Sequence, residues 1–220
     1  AANKRISFQN RSTLNSTGFG LQGLATCYAE DIRVIGCTAR NRGRGILFRY
    51  VNQALAEGNS IIVQADAKTY GIQTNNTSDV TIANNSLQVG SGNHRAILGG
   101  DIIEGNQALG SVVTIEPSSN ATVTGNTGTI YVDGRSNVVV QGNSGAIVLR
   151  NGASDCLVQG NSSGLIMIGN SSHNRILDNK CGSPHSYAIL ELGTSDYNII
   201  AGNDVSAATW DPKIATLGAN

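Results

Sequence analysis

Two carboxylates and a group of arginines carry most of the chemistry open to this sequence. Glu116 ends the run VVTIE and Asp133 ends the run TIYVD. If adjacent turns of a repeat place them one strand spacing apart, about 5 Å, the two carboxylates can share a proton or divide into an acid and a base. They are the candidate catalytic pair. The competing expectation is an ion pair between Asp133 and Arg150, which at a surface contributes little. Arg40, Arg42, Arg44 and Arg49 fall in TARNRGRGILFRY, residues 38–50. Planar guanidinium forks match carboxylate and phosphate groups, so these four are the candidate substrate-binding residues, with an acidic polysaccharide as the partner. A plain solvated turn is the alternative. Tyr131 adds a ring on which a sugar could stack. Nucleic acid is not expected, because aromatic residues are sparse around the arginines.

Other chemistries lack their residues. No GxSxG is present, and no glycine-rich phosphate loop opens a helix. The cysteines, Cys27, Cys37, Cys156 and Cys181, form no CxxC, and His94, His173 and His185 are scattered. Neither a metal site nor a cofactor is therefore expected. Four small buried thiols are the simplest reading, with a Cys27–Cys37 disulfide left open.

The elements that position these groups follow from a repeat. The chain has 220 residues, 27 of them glycine and only 14% charged. Asparagine numbers 24 by count. Asn and Gly are the residues that most readily accept positive φ, so the chain must turn often. One phrase, an alternating apolar run closed by Asn, ends at Asn10, Asn59, Asn85, Asn106, Asn126, Asn143, Asn161, Asn179 and Asn203. A tenth copy, IRVIGC, ends at Cys37. Successive copies lie 17 to 27 residues apart, which describes coils of constant core and variable loops. Period-two alternation is a strand signal. The positions three and five before the closing residue, such as Val138 and Val140, should point inward. A polar Ser-Asn or Ser-Asp turn precedes most runs, and Asx residues make good corners. A second strand follows each Asn corner, as in TIYVD (129–133), AIVLR (146–150) and LIMIG (165–169). In these second strands Ile130, Val132, Ile147, Leu149, Ile166, Ile168, Ala188 and Leu190 should point inward. The outward column then reads Tyr131, Val148, Met167 and Ile189. A strand apolar on both sides is normally covered on both, which predicts a loop, a subunit or a sugar over this column.

Stacked asparagines should bond one another from coil to coil. The 17- and 18-residue coils between Asn126 and Asn179 have room for two full sheets or a tapering triangle. A left-handed coil of 18 residues is the competing geometry. Charge is uneven. Residues 1–50 hold eight basic and two acidic residues, +6, leaving −6 for the rest of a chain with 15 of each sign. No apolar run is long enough to cross a membrane.

The VxVxGN phrase, the preceding Ser-Asn/Asp turn and the stretch SYAILELGTSDYNIIAGNDVS (186–206) together resemble the right-handed parallel β-helix repeat proteins, of phage tailspike and polysaccharide-processing type. The resemblance covers essentially the whole chain. It implies an all-β, right-handed, single-stranded parallel β-helix of about ten coils, with residues 1–220 as one domain cut from a longer chain. It implies a carbohydrate-recognising stem of a tailspike-like or extracellular protein, with depolymerase activity as an added expectation. The location would be extracellular or virion-associated. It further implies a homotrimer, joined through Tyr131, Val148, Met167 and Ile189, and catalytic carboxylates on outer strand faces. The acidic metal-binding clusters of the lyase-like members are not found. The alternatives are a free-standing polysaccharide lyase, hydrolase or epimerase, and a purely structural stalk.

Overall fold

In a computed structural model the chain is a parallel β-solenoid, with no helix among the described residues. The structure describes residues 4–9, 12–14, 19–22, 29–41, 44–63, 70–90, 94–110, 113–182, 187–209 and 214–218. It divides into two compact units, Ala1–Ser118 and Ser119–Asn220. The phrase count predicts ten coils; there are about eight turns. Ten stacked copies enclose at most nine intervals, so turns are fewer than copies.

In the first unit each coil has three strands. The strands that precede the Asn corner stack in parallel, pairing for example Ile32 with Ala54 and Ala54 with Val80. Directly after the corner comes a short strand that the sequence pattern did not show: Ser12–Leu14, Thr38–Asn41, Ser60–Val63, Ser86–Val89 and Gln107–Leu109 form a five-stranded sheet. The runs read from sequence as second strands are the third side of these longer coils. In the second unit the middle side shrinks to the pair Ser162–Ser163 and Lys180–Cys181 plus isolated bridges. A 17- or 18-residue coil leaves length for at most two residues of a middle strand.

The inward assignments before the corner hold. Ile32, Val34, Val80, Ile82, Val138, Val140, Cys156 and Val158 are all buried. Two corners per coil require left-handed backbone. One lies immediately before the register residue, at Gly36, Gly58, Asn84, Gly105, Gly125, Gly142, Gly160, Asp178 and Gly202. The other lies six residues before it, at Asp31, Gln53, Asp79, Gly100, Asn120, Asn137, Asp155, His173 and Tyr197. This accounts for much of the Asn, Asp and Gly content, because those types reach positive φ at least cost.

The register asparagines form a buried ladder in each unit. Asn143 Nδ2 donates to Asn161 Oδ1 at 3.1 Å and to Val123 O of the preceding coil at 2.9 Å. Its own Oδ1 accepts from Asn126 N and Nδ2 at 2.9 and 3.0 Å. The same pattern links Asn59, Asn85 and Asn106, and Asn161, Asn179 and Asn203. Each corner's backbone groups are thereby satisfied by side chains of neighbouring coils. At Cys37 the ladder residue is missing, and Cys37 N donates to Asn59 Oδ1.

On the third side one assignment changes. Ile130, Val132, Ile147, Leu149, Ile166, Ile168 and Ala188 are buried as expected. Ile189, however, pairs with Ile166 and is fully buried, while Leu190 pairs with Met167. The column on the other phase is therefore Tyr131, Val148, Met167 and Leu190, of which Val148 is buried and the other three are half-buried. In YAILEL apolar residues occupy both phases, so alternation alone could not fix which one faces the core.

Candidate functional site

The third side of the first unit carries the densest set of outward polar and aromatic groups. Its phase is set by a local irregularity. Gly45 and Ile46, Gly71 and Ile72, and Ala96 and Ile97 are consecutive buried pairs, and the ladder shifts between Arg95 and Ile97. Glycine is needed at two of these places because backbones approach closely. A Cβ on Gly45 would sit 2.6 Å from Gly71 O, and one on Gly71 would sit 2.5 Å from Ala96 O. The irregularity turns the preceding residue of each strand outward. Arg44 lies beside Tyr70, Tyr70 beside Arg95, and Arg95 beside Thr114. Parallel strands are spaced by about 4.8 Å, so Arg44 and Arg95 are roughly 10 Å apart along the stack. A second outward row reads Leu47, Gln73, Leu98 and Glu116.

These side chains bind one another. The Arg44 guanidinium lies 5.6 Å from the Tyr70 ring centre, and its Nε donates to Gln73 Oε1. Arg95 is ion-paired with Glu116. Thr114 Oγ1 donates to Glu116 Oε1 at 3.2 Å, and Glu116 is buried. Burial alone would lower the basicity of Arg95, but Glu116 and Tyr70 more than offset it, and the guanidinium is held above its ordinary value. Arg49 lies one pleat further, its guanidinium 5.1 Å from the Tyr50 ring centre, with a buried Nε that has no hydrogen-bond partner among the described residues.

The four arginines read as one cluster are divided by the fold. Arg44 and Arg49 are on this face. Arg40 is exposed on the strand Thr38–Asn41 of the middle sheet, beside Ile62. Arg42 lies outside the described residues. Sequence reasoning passed over Tyr70 and Arg95, because they stand alone in sequence and meet Arg44 only through the coil register. Their one signal was position, just before the buried pairs of the third strand.

Glu116 belongs to the first unit and Asp133 to the second, and each has its own arginine. Arg150 Nε and Nη2 donate to Asp133 Oδ2 at 3.0 and 2.8 Å, and Asn151 Nδ2 donates to Asp133 Oδ1 at 2.7 Å. Arg150 also lies over Tyr131, 4.5 Å from the ring centre. The expected Asp133–Arg150 pair is thus present, and Arg150 joins two of the sequence candidates, Asp133 and Tyr131. A carboxylate already occupied by a guanidinium is built to hold charge and position neighbours. An acid–base role would require a substrate that displaces the arginine.

Among the described residues no three His, Cys, Asp or Glu side chains converge as a metal site. Cys37, Cys156 and Cys181 are free and buried; Cys27 lies outside the described residues. Burial pushes the Cys181 thiol up to about 11, helped by Asp204, and raises Cys156 as well. His173 stacks on Tyr197 with ring centres 5.1 Å apart. Among the described residues no helix is long and apolar enough to cross a membrane.

Comparison with known proteins adds three findings. A family model described as "Periplasmic copper-binding protein (NosD)" matches residues 87–210, more than half of the chain. None of the curated proteins matches. Among solved structures, a mutant of the periplasmic alginate epimerase AlgG matches with 11% sequence identity and a TM-score of 0.34, covering 90% of this chain and 62% of that one. The chain thus spans less than two thirds of that protein's length.

Proposed function

The chain belongs to the NosD family, and from that premise we propose that it is an extracytoplasmic β-helix protein that binds an acidic polysaccharide along the third side of its first unit. One observation carries this reading: the in-register row Arg44–Tyr70–Arg95. Two guanidinium groups separated by two coil spacings flank an aromatic ring, and Arg49 adds at the margin a buried Nε without a partner among the described residues. A uronate polymer lying along the stack would place a carboxylate on the exposed Arg44 and a sugar against Tyr70, with Arg95, held by Glu116, at the end of the row. The family description places its members in the periplasm, and a periplasmic setting is part of this proposal in preference to a virion. Binding is favoured over cleavage because Glu116 and Asp133 are each engaged by arginine.

The family description also names copper. Copper sites gather thiolate, thioether or imidazole ligands. The described thiols are buried at three separate places, and burial keeps Cys156 and Cys181 protonated. The described residues therefore do not fit a copper site, and no step is derived through the metal.

A second reading concerns assembly. Tyr131, Val148, Met167 and Leu190 form an apolar column on the phase opposite the core residues in the second unit, and we propose it as the surface through which copies associate, as trimeric tailspikes would. Light scattering of the wild type and of Met167→Glu tests it: a trimer that dissociates in the variant supports it, and a wild-type monomer refutes it.

The binding proposal is tested by calorimetric titration with trigalacturonate. Arg44→Ala and Tyr70→Ala should each weaken binding at least tenfold, and affinity should fall with added salt. Affinity unchanged in both variants would remove the site from this face. Product release from polygalacturonate that disappears in Glu116→Gln and Asp133→Asn would restore the depolymerase reading.

A further inference from the structure

A second groove lies on a different side of the first unit, over the strands that precede the Asn corner. It has a volume of about 470 Å³ and is lined by Asp31, Arg33, Gln53, Leu55, Asp79 and Thr81, within the size range of small-ligand sites. The coil register explains the lining. Arg33, Leu55 and Thr81 are side by side on three successive strands. Asp31, Gln53 and Asp79 occupy the left-handed corner of the same three coils.

Gln53 is the anomaly. This corner elsewhere carries Asp31, Asp79, Gly100, Asn120, Asn137 and Asp155, types that tolerate positive φ. His173 and Tyr197 also occupy it, and there the two rings stack on each other. Gln53 has φ 57°, yet its side chain is one carbon too long for the local Asx turn that eases such a conformation. It makes no side-chain hydrogen bond to a described residue. A long amide held at a backbone cost, exposed and lining a groove, is an outlier from which function is fairly inferred.

The chemistry of the lining narrows the ligand. Asp31 holds Arg33 at 2.8 Å, so the groove contains a cation already, and Asp79 adds a second carboxylate. That set repels a polyanion and offers no vacant cluster for a cation. It does present amide, carboxylate, guanidinium and hydroxyl groups together with Leu55 and Ala54. Donors and acceptors beside the apolar Leu55 suit the vicinal hydroxyls and the C–H face of an uncharged pyranose. We propose that this groove is a second saccharide site, for neutral, hydroxyl-rich sugar units. It is independent of the arginine row.

The test uses the full chain with cellohexaose, maltohexaose and mannohexaose as probes, followed by calorimetry and thermal melts. The wild type should bind at least one of them with a millimolar or tighter Kd. Gln53→Gly should weaken that binding at least tenfold while raising Tm, because glycine relieves the corner. Asp79→Asn keeps an Asx residue at its corner, so Tm should stay and binding should fall at least threefold. Trigalacturonate binding should be unchanged in both variants, whereas Arg44→Ala should lose it and keep the neutral probe. The proposal is overturned if no neutral hexasaccharide binds at millimolar concentration, if both variants bind like the wild type, or if Gln53→Gly lowers Tm. Loss of trigalacturonate binding alone would refute the arginine row and leave this groove standing.

Discussion

Removing one rung of the asparagine ladder gives a sharp test of what holds the coils together. Asn143 is buried, and its Oδ1 accepts both Asn126 N and Asn126 Nδ2. Asn143→Ala deletes that acceptor and the donors to Val123 O, Gln141 O and Asn161 Oδ1. Gln141 O keeps its bond from Gly125 N, and Asn126 Nδ2 keeps its bond to Thr124 O at 3.0 Å, so the main loss falls on the backbone N–H of the buried Asn126 and on the ladder bonds of Asn143 itself. An orphaned buried donor costs about 1–3 kcal/mol and the lost ladder bonds about 1 kcal/mol more, which gives a destabilisation of about 2–4 kcal/mol. Against a typical total of roughly 5–15 kcal/mol this is a large fraction. Urea unfolding followed by circular dichroism measures it, and hydrogen exchange should show the Asn126 amide losing protection first, since a solenoid opens between neighbouring coils. Asn137→Ala is the control: Asn137 is exposed and left-handed, its side chain donates to Asn120 Oδ1 at 3.2 Å, and its loss should cost about 1 kcal/mol. Stability of Asn143→Ala within 0.5 kcal/mol of the wild type would refute the idea that the ladder is a structural requirement.

Two further outcomes follow from the packing. Gly71→Ala would place a Cβ 2.5 Å from Ala96 O, backbone that cannot swing away, so it should lose about 1–3 kcal/mol and weaken trigalacturonate binding by disturbing Tyr70 next to it. A melt unchanged by this substitution would contradict the close approach. Cys181 ionises from 9.0 upward when unfolded and only near 11 when folded, so unfolding releases a proton in that window and stability falls as pH rises from about 9 to 11. The contribution is about 2 kcal/mol. The urea midpoint should therefore drop less steeply over that range in Cys181→Ala than in the wild type; identical slopes would contradict it.

The repeat was legible because a solenoid writes the same physical demand into every coil. The buried pair Val138 and Val140, the register asparagines and the Gly or Asx corners each recur, so period and phase reinforce one another. Where a coil departs from the pattern the reading weakened. The middle strands of the first unit, such as Ser60–Val63, are short and fall in the variable part of the repeat, so nothing marked them off from loops. Ile189 was placed outward because Ala188, Ile189 and Leu190 are all apolar and neither phase was excluded. The site was harder still. The Arg40–Arg49 cluster is contiguous in sequence but divided between two sheets, while Arg44, Tyr70 and Arg95 are distant in sequence and adjacent in space. Adjacency of that kind depends on loop lengths between coils, which composition and alternation do not report.

The most direct measurement of the central claim is an amide chemical-shift titration of the labelled protein with trigalacturonate. Polyuronate recognition by the first unit predicts saturable shifts at residues 44–49, 70–75, 95–98 and 114–116, with residues 175–201 unmoved. No saturable shift, or shifts confined to the second unit, would contradict it.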